Sequence, residues 1–160
     1  MDLTSTRTID ITKLAMDGLV ARQKAIAANT ANVITPGYNR KEVSFEGQLR
    51  EIVEREDLKQ YIKERNSMEY NPTSLEIAMG REHRHLTPQE ARFLQSNTYG
   101  KFEPQIIDDV VSGGDLTGNN VEMEKEVMDM ATVGLKYNTL ARLENKSINI
   151  ISTAIKGQST

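Results

Sequence analysis

Apolar residues recur at helical spacing at both ends of the chain, whereas the middle keeps no single pattern. Near the N-terminus they return every three or four positions, which is typical of a helix that packs along one seam. The seam contains Ile11, Leu14, Gly18, Ala21, Ala25, Ala28 and Asn32, and a second stripe beside it contains Ala15, Leu19, Ile26 and Val33. Pro36 restricts the residue before it to extended backbone, so this helix is predicted to end near Thr35.

The C-terminal end carries a longer pattern of the same kind. Its predicted seam contains Met123, Val127, Met130, Gly134, Tyr137, Ala141, Ile148, Ile151 and Ile155. Asn119 and Glu122 have the spacing of a capping box at its start, and Gly157 stands where a helix often ends. We therefore predict a mainly α fold in which long N- and C-terminal helices pair as a coiled coil or helical bundle.

The middle segment is predicted to be loop-rich, with short helices and little β-structure. Val43 and Phe45 alternate with polar residues, which fits a short extended stretch after the turn at Pro36. Apolar residues then return at helical spacing from Phe45 to Ile62. Thr87 begins a capping box with proline at the first helical position, which predicts a short helix there.

Small residues occupy positions of both seams where larger ones are expected, among them Gly18 and Gly134. They let helices approach closely but bury little apolar area, so packing against neighbouring copies would complete the burial. The pattern indicates an assembly protein. Its predicted parts are an N-terminal helix over 1–38, a middle segment over 39–118 and a C-terminal helix over 119–160, with the two termini forming one helical core.

Composition excludes several classes of protein. The formal net charge of −3 leaves no basic surplus for nucleic acid, and the absence of cysteine excludes disulfides and thiol nucleophiles. The N-terminus lacks the apolar core of a secretory signal peptide, and no stretch is apolar enough for a membrane span. We expect a cytosolic protein, or one that leaves the cytosol by a route that reads no such signal.

Two histidines, His83 and His85, are the strongest candidates for metal chemistry. An H-x-H pair can chelate a metal, but arginines flank this one and no third ligand is evident. A phosphate-binding glycine loop, an H-E-x-x-H motif and a nucleophile elbow are all missing from the sequence. We predict no enzyme, no cofactor and no metal site, and keep a small helical metal-binding protein or enzyme centred on these histidines as an alternative.

The end of the first predicted helix carries a more specific pattern. Two asparagines three residues apart share a helix face, where their amides can bond carbonyls freed at the helix end, and a Thr-Pro-Gly turn and a tyrosine follow. This stretch resembles the N-terminal signature of the flagellar basal-body rod and hook family. The matching residues are Asn29, Ala31, Asn32, Thr35, Pro36, Gly37 and Tyr38, and Thr30 departs from the apolar residue usual there.

The rest of the chain resembles the proximal-rod subgroup of that family. The chain is too short for the large middle domain of hook and distal-rod proteins, and the stretch from Leu75 to Leu86, ending in His85-Leu86, is similar to a central stretch of the subgroup, with Glu82 departing. The segment from Gly118 to Glu126 is similar to its C-terminal helix entry. The resemblance covers about residues 9–50 and 75–156.

This resemblance implies a structural subunit of the proximal rod, which assembles helically around the export channel and transmits torque. It implies type III export without a cleaved signal and a place in the rod, in the periplasmic space. The implied partners are other rod proteins, the adapter FliE, the MS ring, the export gate and copies of the chain itself, with no nucleic acid and no insertion into the membrane. A neighbouring rod subunit of the same family is the alternative.

The resemblance also suggests which residues carry the assembly. Beside the signature these are residues of the C-terminal helix, expected to pack, and two residues of the middle segment. They are Val121, Met123, Val127, Gly134, Tyr137, Ala141 and Ile148 on the helix, and His85 and Leu86 in the middle.

Overall fold

The computed structural model describes residues 6–67, 86–109 and 118–157. In chain order the described elements are helix α1 (Thr6–Ala31), strand β1 (Lys41–Ser44), helix α2 (Glu46–Ser67), helix α3 (Pro88–Gln95), a 3₁₀ turn (Tyr99–Lys101), strand β2 (Gln105–Asp108) and helix α4 (Met123–Lys156). The fold is mainly α with a long helix near each end, which confirms the predicted fold class. Among the described helices none is long and apolar enough to cross a membrane.

The chain divides into two compact units. The first comprises Met1–Leu49 and Phe102–Thr160, and the second comprises Arg50–Lys101. Helices α1 and α4 and both strands lie in the first unit.

The core of the first unit lies between α1, α4 and β1. Asn29 contacts Glu126 at one end of the helix pair, and Leu19 and Leu140 line one groove farther along, so α1 and α4 run antiparallel. The core residues are Leu19, Ala25, Ile26, Val43, Phe45 and Val133.

Helix α1 starts and ends a few residues earlier than the sequence predicts. Its most buried apolar positions are Leu19 and Ile26 of the second predicted stripe and Ala25 of the first, so the buried face includes parts of both stripes. Gly18 is required there by close approach, because a Cβ at this position would lie 2.6 Å from Cγ of the Phe45 ring. Such a distance is far below van der Waals contact, and a larger residue would displace the ring.

Helix α4 is rotated relative to the predicted seam. Its buried residues are Glu126, Val133 and Ser147, whereas Val127 and Ile148 are 60% and 48% exposed. The predicted seam is therefore wrong at these positions for contacts within the chain. The neighbouring column is buried instead: Glu126 has its polar partners inside, Val133 belongs to the core and Leu140 packs against it.

Some of the other residues predicted to pack on α4 face the core of the chain, and others face solvent. Tyr137 packs against the core, and Val121 and Ala141 are half-buried. Met123 is 38% exposed, and no atom lies within 4 Å of a Cβ built at Gly134. Gly134 therefore makes no close approach to α1, and the packing of these residues against other subunits stays a prediction.

The helix ends show which local signals were sufficient. The predicted capping box at Thr87 forms with Glu90, and Gly157 ends α4 in the left-handed conformation, with φ 66°. The predicted box at Asn119 does not form, because α4 begins at Met123 and its cap residue makes no side-chain hydrogen bond. The Asn119 amide is bound instead to carbonyls at the end of α1.

Strands β1 and β2 form an antiparallel pair, with Lys41 opposite Asp108 and Ser44 opposite Gln105. The extended stretch at Val43 was predicted, and its side chain is 1% exposed. Strand β2 was predicted as a loop. All four of its residues are exposed. Its sequence lacks the alternation of apolar and polar residues that marks a half-buried strand, so no strand was predicted there.

The second unit holds most of α2 together with α3. Ile52 and Ile62 are buried in it. Lys59 Nζ donates to the Ser96 carbonyl and to Thr98 Oγ1, both at 2.6 Å, which ties α2 to the segment after α3.

Candidate functional site

The signature of the sequence forms the end of α1 and the turn that follows it. The backbone N–H of Asn32 still donates to the Ala28 carbonyl, at 3.2 Å, and the backbone N–H of Thr35 donates to the Asn32 carbonyl, at 2.9 Å. Pro36 does not continue the helix, and Gly37 takes a φ of 69°, a left-handed conformation that glycine adopts without strain. The turn leads the chain from α1 into β1.

Asn29 is the centre of this arrangement, and it is fully buried. Its amide bonds the backbone of Lys41 twice, as a neighbouring strand would: Oδ1 accepts from the N–H at 2.8 Å and Nδ2 donates to the carbonyl at 2.9 Å. Nδ2 also donates to Glu126 Oε2 at 3.1 Å, and Oδ1 accepts from the Tyr38 hydroxyl at 3.2 Å. All four hydrogen-bonding positions of the amide are therefore occupied.

A buried ion pair lies next to Asn29. Arg40 Nε donates to Glu126 Oε1 at 2.6 Å, and the two residues are 6% and 0% exposed. Arg40 Nη2 also meets Asp129 at 3.1 Å, while Glu42 and Asp109 each lie 3.7 Å from Nη1. Because a buried charge is costly unless it is paired and hydrogen-bonded, this cluster holds its members in one geometry.

Two pKa values reflect this environment. Burial lowers the pKa of Arg40, but the hydrogen bond and charge of Glu126, together with the charges of Glu42 and Asp129, outweigh that effect and leave it raised. The pKa of the Tyr38 hydroxyl is raised by burial and by the carboxylates of Asp108 and Glu126. Both shifts keep the groups protonated at neutral pH, so Arg40 stays a cation and Tyr38 stays a hydrogen-bond donor.

Two asparagines before α4 complete the site. Asn119 Nδ2 lies 2.9, 3.0 and 2.9 Å from the carbonyl oxygens of Asn32, Val33 and Thr35. It therefore caps the end of α1, although it is more than 80 residues away in the chain. Asn120 Oδ1 accepts from the Arg40 N–H at 2.6 Å. We call Asn29, Arg40, Asn119, Asn120 and Glu126 the polar junction.

The structure brings only part of the predicted signature into this junction. Asn29 is inside it and Tyr38 donates to it. Asn32 Nδ2 bonds the Ala28 carbonyl of its own helix, and Thr35 Oγ1 donates to Asn32. Exposed positions are Ala31, Thr35, Pro36 and Gly37. In the middle segment, Leu86 is 39% exposed, and His83 and His85 lie outside the described residues.

Four members of the junction were missed by sequence reasoning, namely Arg40, Asn119, Asn120 and Glu126. Asn119 was interpreted as part of a local capping box, and Glu126 only as the last residue of the segment that resembles the family's C-terminal helix entry. The available signal was a basic residue directly after the signature, but its partner is 86 residues away in the chain.

The junction joins the end of α1, the start of β1 and the start of α4. Its polar atoms bond one another, so it contains no nucleophile or base directed at solvent. In the part of the chain that the structure describes, no three side chains of the His, Cys, Asp and Glu types are grouped to hold a metal ion. The geometry supports a structural role.

Comparisons with known proteins agree with this role. No protein-family model matches the chain. The flagellar basal body rod protein FlgB of Borreliella burgdorferi is 26% identical over 148 residues, covering 91% of this chain and 95% of that protein. FlgB of Bacillus subtilis is 26% identical over 85% of this chain and 83% of its own length, and FlgB of Cereibacter sphaeroides is 27% identical over 86% and 84%. These similarities support the FlgB family.

Proposed function

We propose that this protein is a structural subunit of the proximal rod of the bacterial flagellar basal body. The observation that carries the proposal is the similarity to rod proteins named FlgB along nearly the whole chain. The antiparallel pair of α1 and α4 supports it, because such a pair offers long exposed helix faces for lateral packing.

The assembly surface that we propose is a column of residues on α4, which we call the outer column. Its members are Val127, Gly134, Ala141, Ile148 and Ile155, spaced seven residues apart. The three larger ones are 60%, 48% and 80% exposed. A contiguous exposed apolar surface of this kind marks an interaction site. We propose that a helix of a neighbouring rod subunit packs on it, with Gly134 at the point of closest approach.

The finer parts of the proposal follow from the same family. We propose that the chain contacts other rod proteins, the adapter FliE, the MS ring and the export gate, and that it also contacts copies of itself. We propose that it is exported without a cleaved signal, stands in the periplasmic part of the basal body and passes torque through packed helices. It would need no cofactor and catalyse no reaction.

Gly134→Leu tests the outer column without disturbing the chain's own packing. No atom lies within 4 Å of a Cβ at this position, so the variant is expected to fold and to be exported. Gly47→Leu is the matched control, because Gly47 also lies in a helix with no atom within 4 Å. In a strain lacking its proximal-rod protein, we expect the control to support motility and Gly134→Leu to block rod formation by steric clash.

The readouts are secretion of the subunit, motility and the number of basal bodies seen by electron microscopy. Normal rods built from Gly134→Leu would show that this column faces open space in the assembly. Rescue of a strain lacking the neighbouring rod subunit, but not of one lacking the proximal subunit, would contradict the proposed position in the rod.

A further inference from the structure

Among the described residues, strand β2 forms one edge of the two-stranded sheet. At one end of the sheet the Asp109 N–H donates to the Arg40 carbonyl at 2.7 Å, so these two residues form a hydrogen-bonded pair. Hydrogen-bonded and non-hydrogen-bonded pairs alternate along an antiparallel ladder. The backbone of Ile107 therefore bonds β1, whereas the N–H and C=O groups of Ile106 and Asp108 point away from it.

The opposite edge of the sheet is closed by side chains of α1. On β1 the backbone groups that point away from β2 belong to Lys41 and Val43. Asn29 bonds both the N–H and the carbonyl of Lys41, and Arg22 Nη2 donates to the Val43 carbonyl at 2.6 Å. Within the described part of the chain, the outward groups of β2 have no partner of this kind. This edge is therefore open to another strand.

The side chains of β2 add apolar surface to the open edge. Ile106 lies opposite the buried Val43 and is nevertheless 64% exposed, and Ile107, on the other face of the sheet, is 49% exposed. Native edge strands often carry lysine or proline, which discourage pairing, and Gln105–Asp108 contains neither. Unpaired backbone groups next to exposed isoleucines fit the addition of an extended strand.

The charges around β2 indicate which kind of strand it accepts. Over residues 41–44 and 103–109 the exposed ionisable side chains are three carboxylates and one amine, namely Glu42, Glu103, Asp108 and Lys41. Two of the carboxylates, those of Glu103 and Asp108, lie near the two ends of β2. Basic residues at the ends of an incoming strand would meet them, whereas β2 of a second copy would bring the same carboxylates close to them. Charge complementarity therefore favours a basic segment over a second copy.

We propose that the open edge of β2 binds an extended segment of a partner protein, with apolar residues at the centre of the segment and lysine or arginine at its ends. The segment adds a third strand to the sheet and makes its main-chain hydrogen bonds with Ile106 and Asp108. This surface belongs to the single chain, so the proposal stands whether or not the protein is a rod subunit.

Amide hydrogen exchange of the full-length protein, followed by NMR, tests whether the edge is open. The N–H groups of Ile106 and Asp108 should exchange faster than that of Ile107 by about threefold or more, since of the three only the Ile107 N–H is bonded to β1. Equal protection of the three amides would overturn the proposal, because the chain would then cover its own edge.

Binding is tested with an acetylated and amidated peptide of sequence Lys-Val-Thr-Val-Thr-Val-Lys. At saturation it should slow exchange at Ile106 and Asp108 by about threefold or more. The same peptide with glutamate in place of both lysines should bind at least about fivefold more weakly. Asp108→Lys should reduce this difference to about twofold or less. Glu54→Lys, the same change of charge at an exposed position of α2, should leave the difference as in the parent.

Ile106→Pro tests the main-chain bonds. It removes an N–H that points away from β1, and proline is tolerated at such an edge position, so the variant should stay folded by circular dichroism. We expect it to bind the lysine peptide about tenfold more weakly than the parent does.

Three results would overturn the proposal: no binding of the lysine peptide, equal binding of the two peptides by the parent, or unchanged binding by a folded Ile106→Pro. If Ile106→Pro does not fold, Asp108→Lys decides, and an unchanged difference between the two peptides in that variant contradicts the proposal. A parent dimer that analytical ultracentrifugation detects and that Asp108→Lys strengthens would also contradict it, since a second copy would then occupy the edge.

Discussion

Replacing Asn29 by aspartate exchanges its Nδ2 donor group for a carboxylate oxygen. The contact with Glu126, now a hydrogen bond, should then become a repulsion between two carboxylates. Asn29 Nδ2 donates to Glu126 Oε2 at 3.1 Å and to the Lys41 carbonyl at 2.9 Å. In Asn29→Asp the donor becomes a carboxylate oxygen facing another carboxylate and a carbonyl. The two bonds that Oδ1 accepts, from Lys41 and Tyr38, can persist.

The structure sets the size of the expected effect. Two unit charges 3.1 Å apart, the present Nδ2–Oε2 distance, repel by about 5 kcal/mol at an effective dielectric constant of about 20. The pair can escape this repulsion if one carboxyl group takes up a proton, which costs about 4 kcal/mol at pH 7 for a group with an ordinary pKa of about 3.9. Proton uptake costs less than the repulsion and therefore limits the loss of unfolding free energy. The nearby Arg40 cation reduces this loss further. We therefore expect Asn29→Asp to lose about 2–4 kcal/mol of unfolding free energy at pH 7.

The loss should shrink as the pH falls. The new carboxyl group has a raised pKa in the folded state, so the folded state binds more protons than the unfolded state above about pH 3.9. Stability relative to the parent is then highest below that pH and decreases as the pH rises towards the raised pKa. At pH 5 the cost of protonation is about 1.5 kcal/mol, which limits the loss there.

Urea unfolding followed by circular dichroism at pH 5 and pH 7 measures both values. Asn29→Ala separates the effect of charge from that of the lost hydrogen bonds, and its loss should not depend on pH in this range. Asn138→Asp is the control for a new charge on an exposed helix position and should change stability by no more than about 0.5 kcal/mol. An equal loss for Asn29→Asp at both pH values would refute the assignment of Asn29 as a donor to Glu126.

Three further substitutions are checked by the same unfolding assay. Gly18→Ala should lose about 1 kcal/mol, because the clash of its methyl group with the Phe45 ring outweighs the gain in helix propensity. Gly134→Ala, with no atom within 4 Å of the new Cβ, should instead gain up to about 1 kcal/mol. For Glu46, burial raises the carboxyl pKa, but the hydrogen bond and charge of Arg22, together with the hydrogen bonds from the backbone N–H groups of Phe45 and Glu46, lower it more. Glu46→Gln should therefore cost up to about 1 kcal/mol at pH 7. The difference from the parent should shrink below the ordinary glutamate pKa of about 4.3 and disappear as the pH falls through the lowered pKa of the folded state.

The helices could be predicted from the sequence because their signals are local. The capping box at Thr87 and the end of α4 at Gly157 each depend on residues within one turn of the helix end, and the structure has both. The stop before Pro36 was predicted to within a few residues, since α1 ends at Ala31. The extended stretch at Val43 could also be predicted, since its alternation shows which side chain is buried.

The rotational position of α4 could not be predicted in the same way. Hydrophobic periodicity favours a seam through Val127 and Ile148, whereas the structure buries Glu126 and Ser147. The missing information was the identity of Arg40 as a partner of Glu126, 86 residues away in the chain. Hydrophobic periodicity is evaluated for each helix separately, so it contains no information about partners elsewhere in the chain. It therefore places a single glutamate of an apolar helix at the surface.

The same long-range contacts change how the signature should be understood. From the sequence, Asn29 and Asn32 share a helix face and belong to a signature that is expected to carry the assembly. In the structure Asn29 is fully buried with partners in its own chain, and Asn32 bonds its own helix. A loss of motility on Asn29→Ala would therefore arise first from a weakened junction and not from a lost contact between subunits. The outer column differs from the signature, because Val127, Ile148 and Ile155 are exposed in the single chain and Gly134 has open space around it. Substitution of Gly134 therefore tests for an interface in the rod, and the unfolding free energy of Asn29 variants tests the role of the signature.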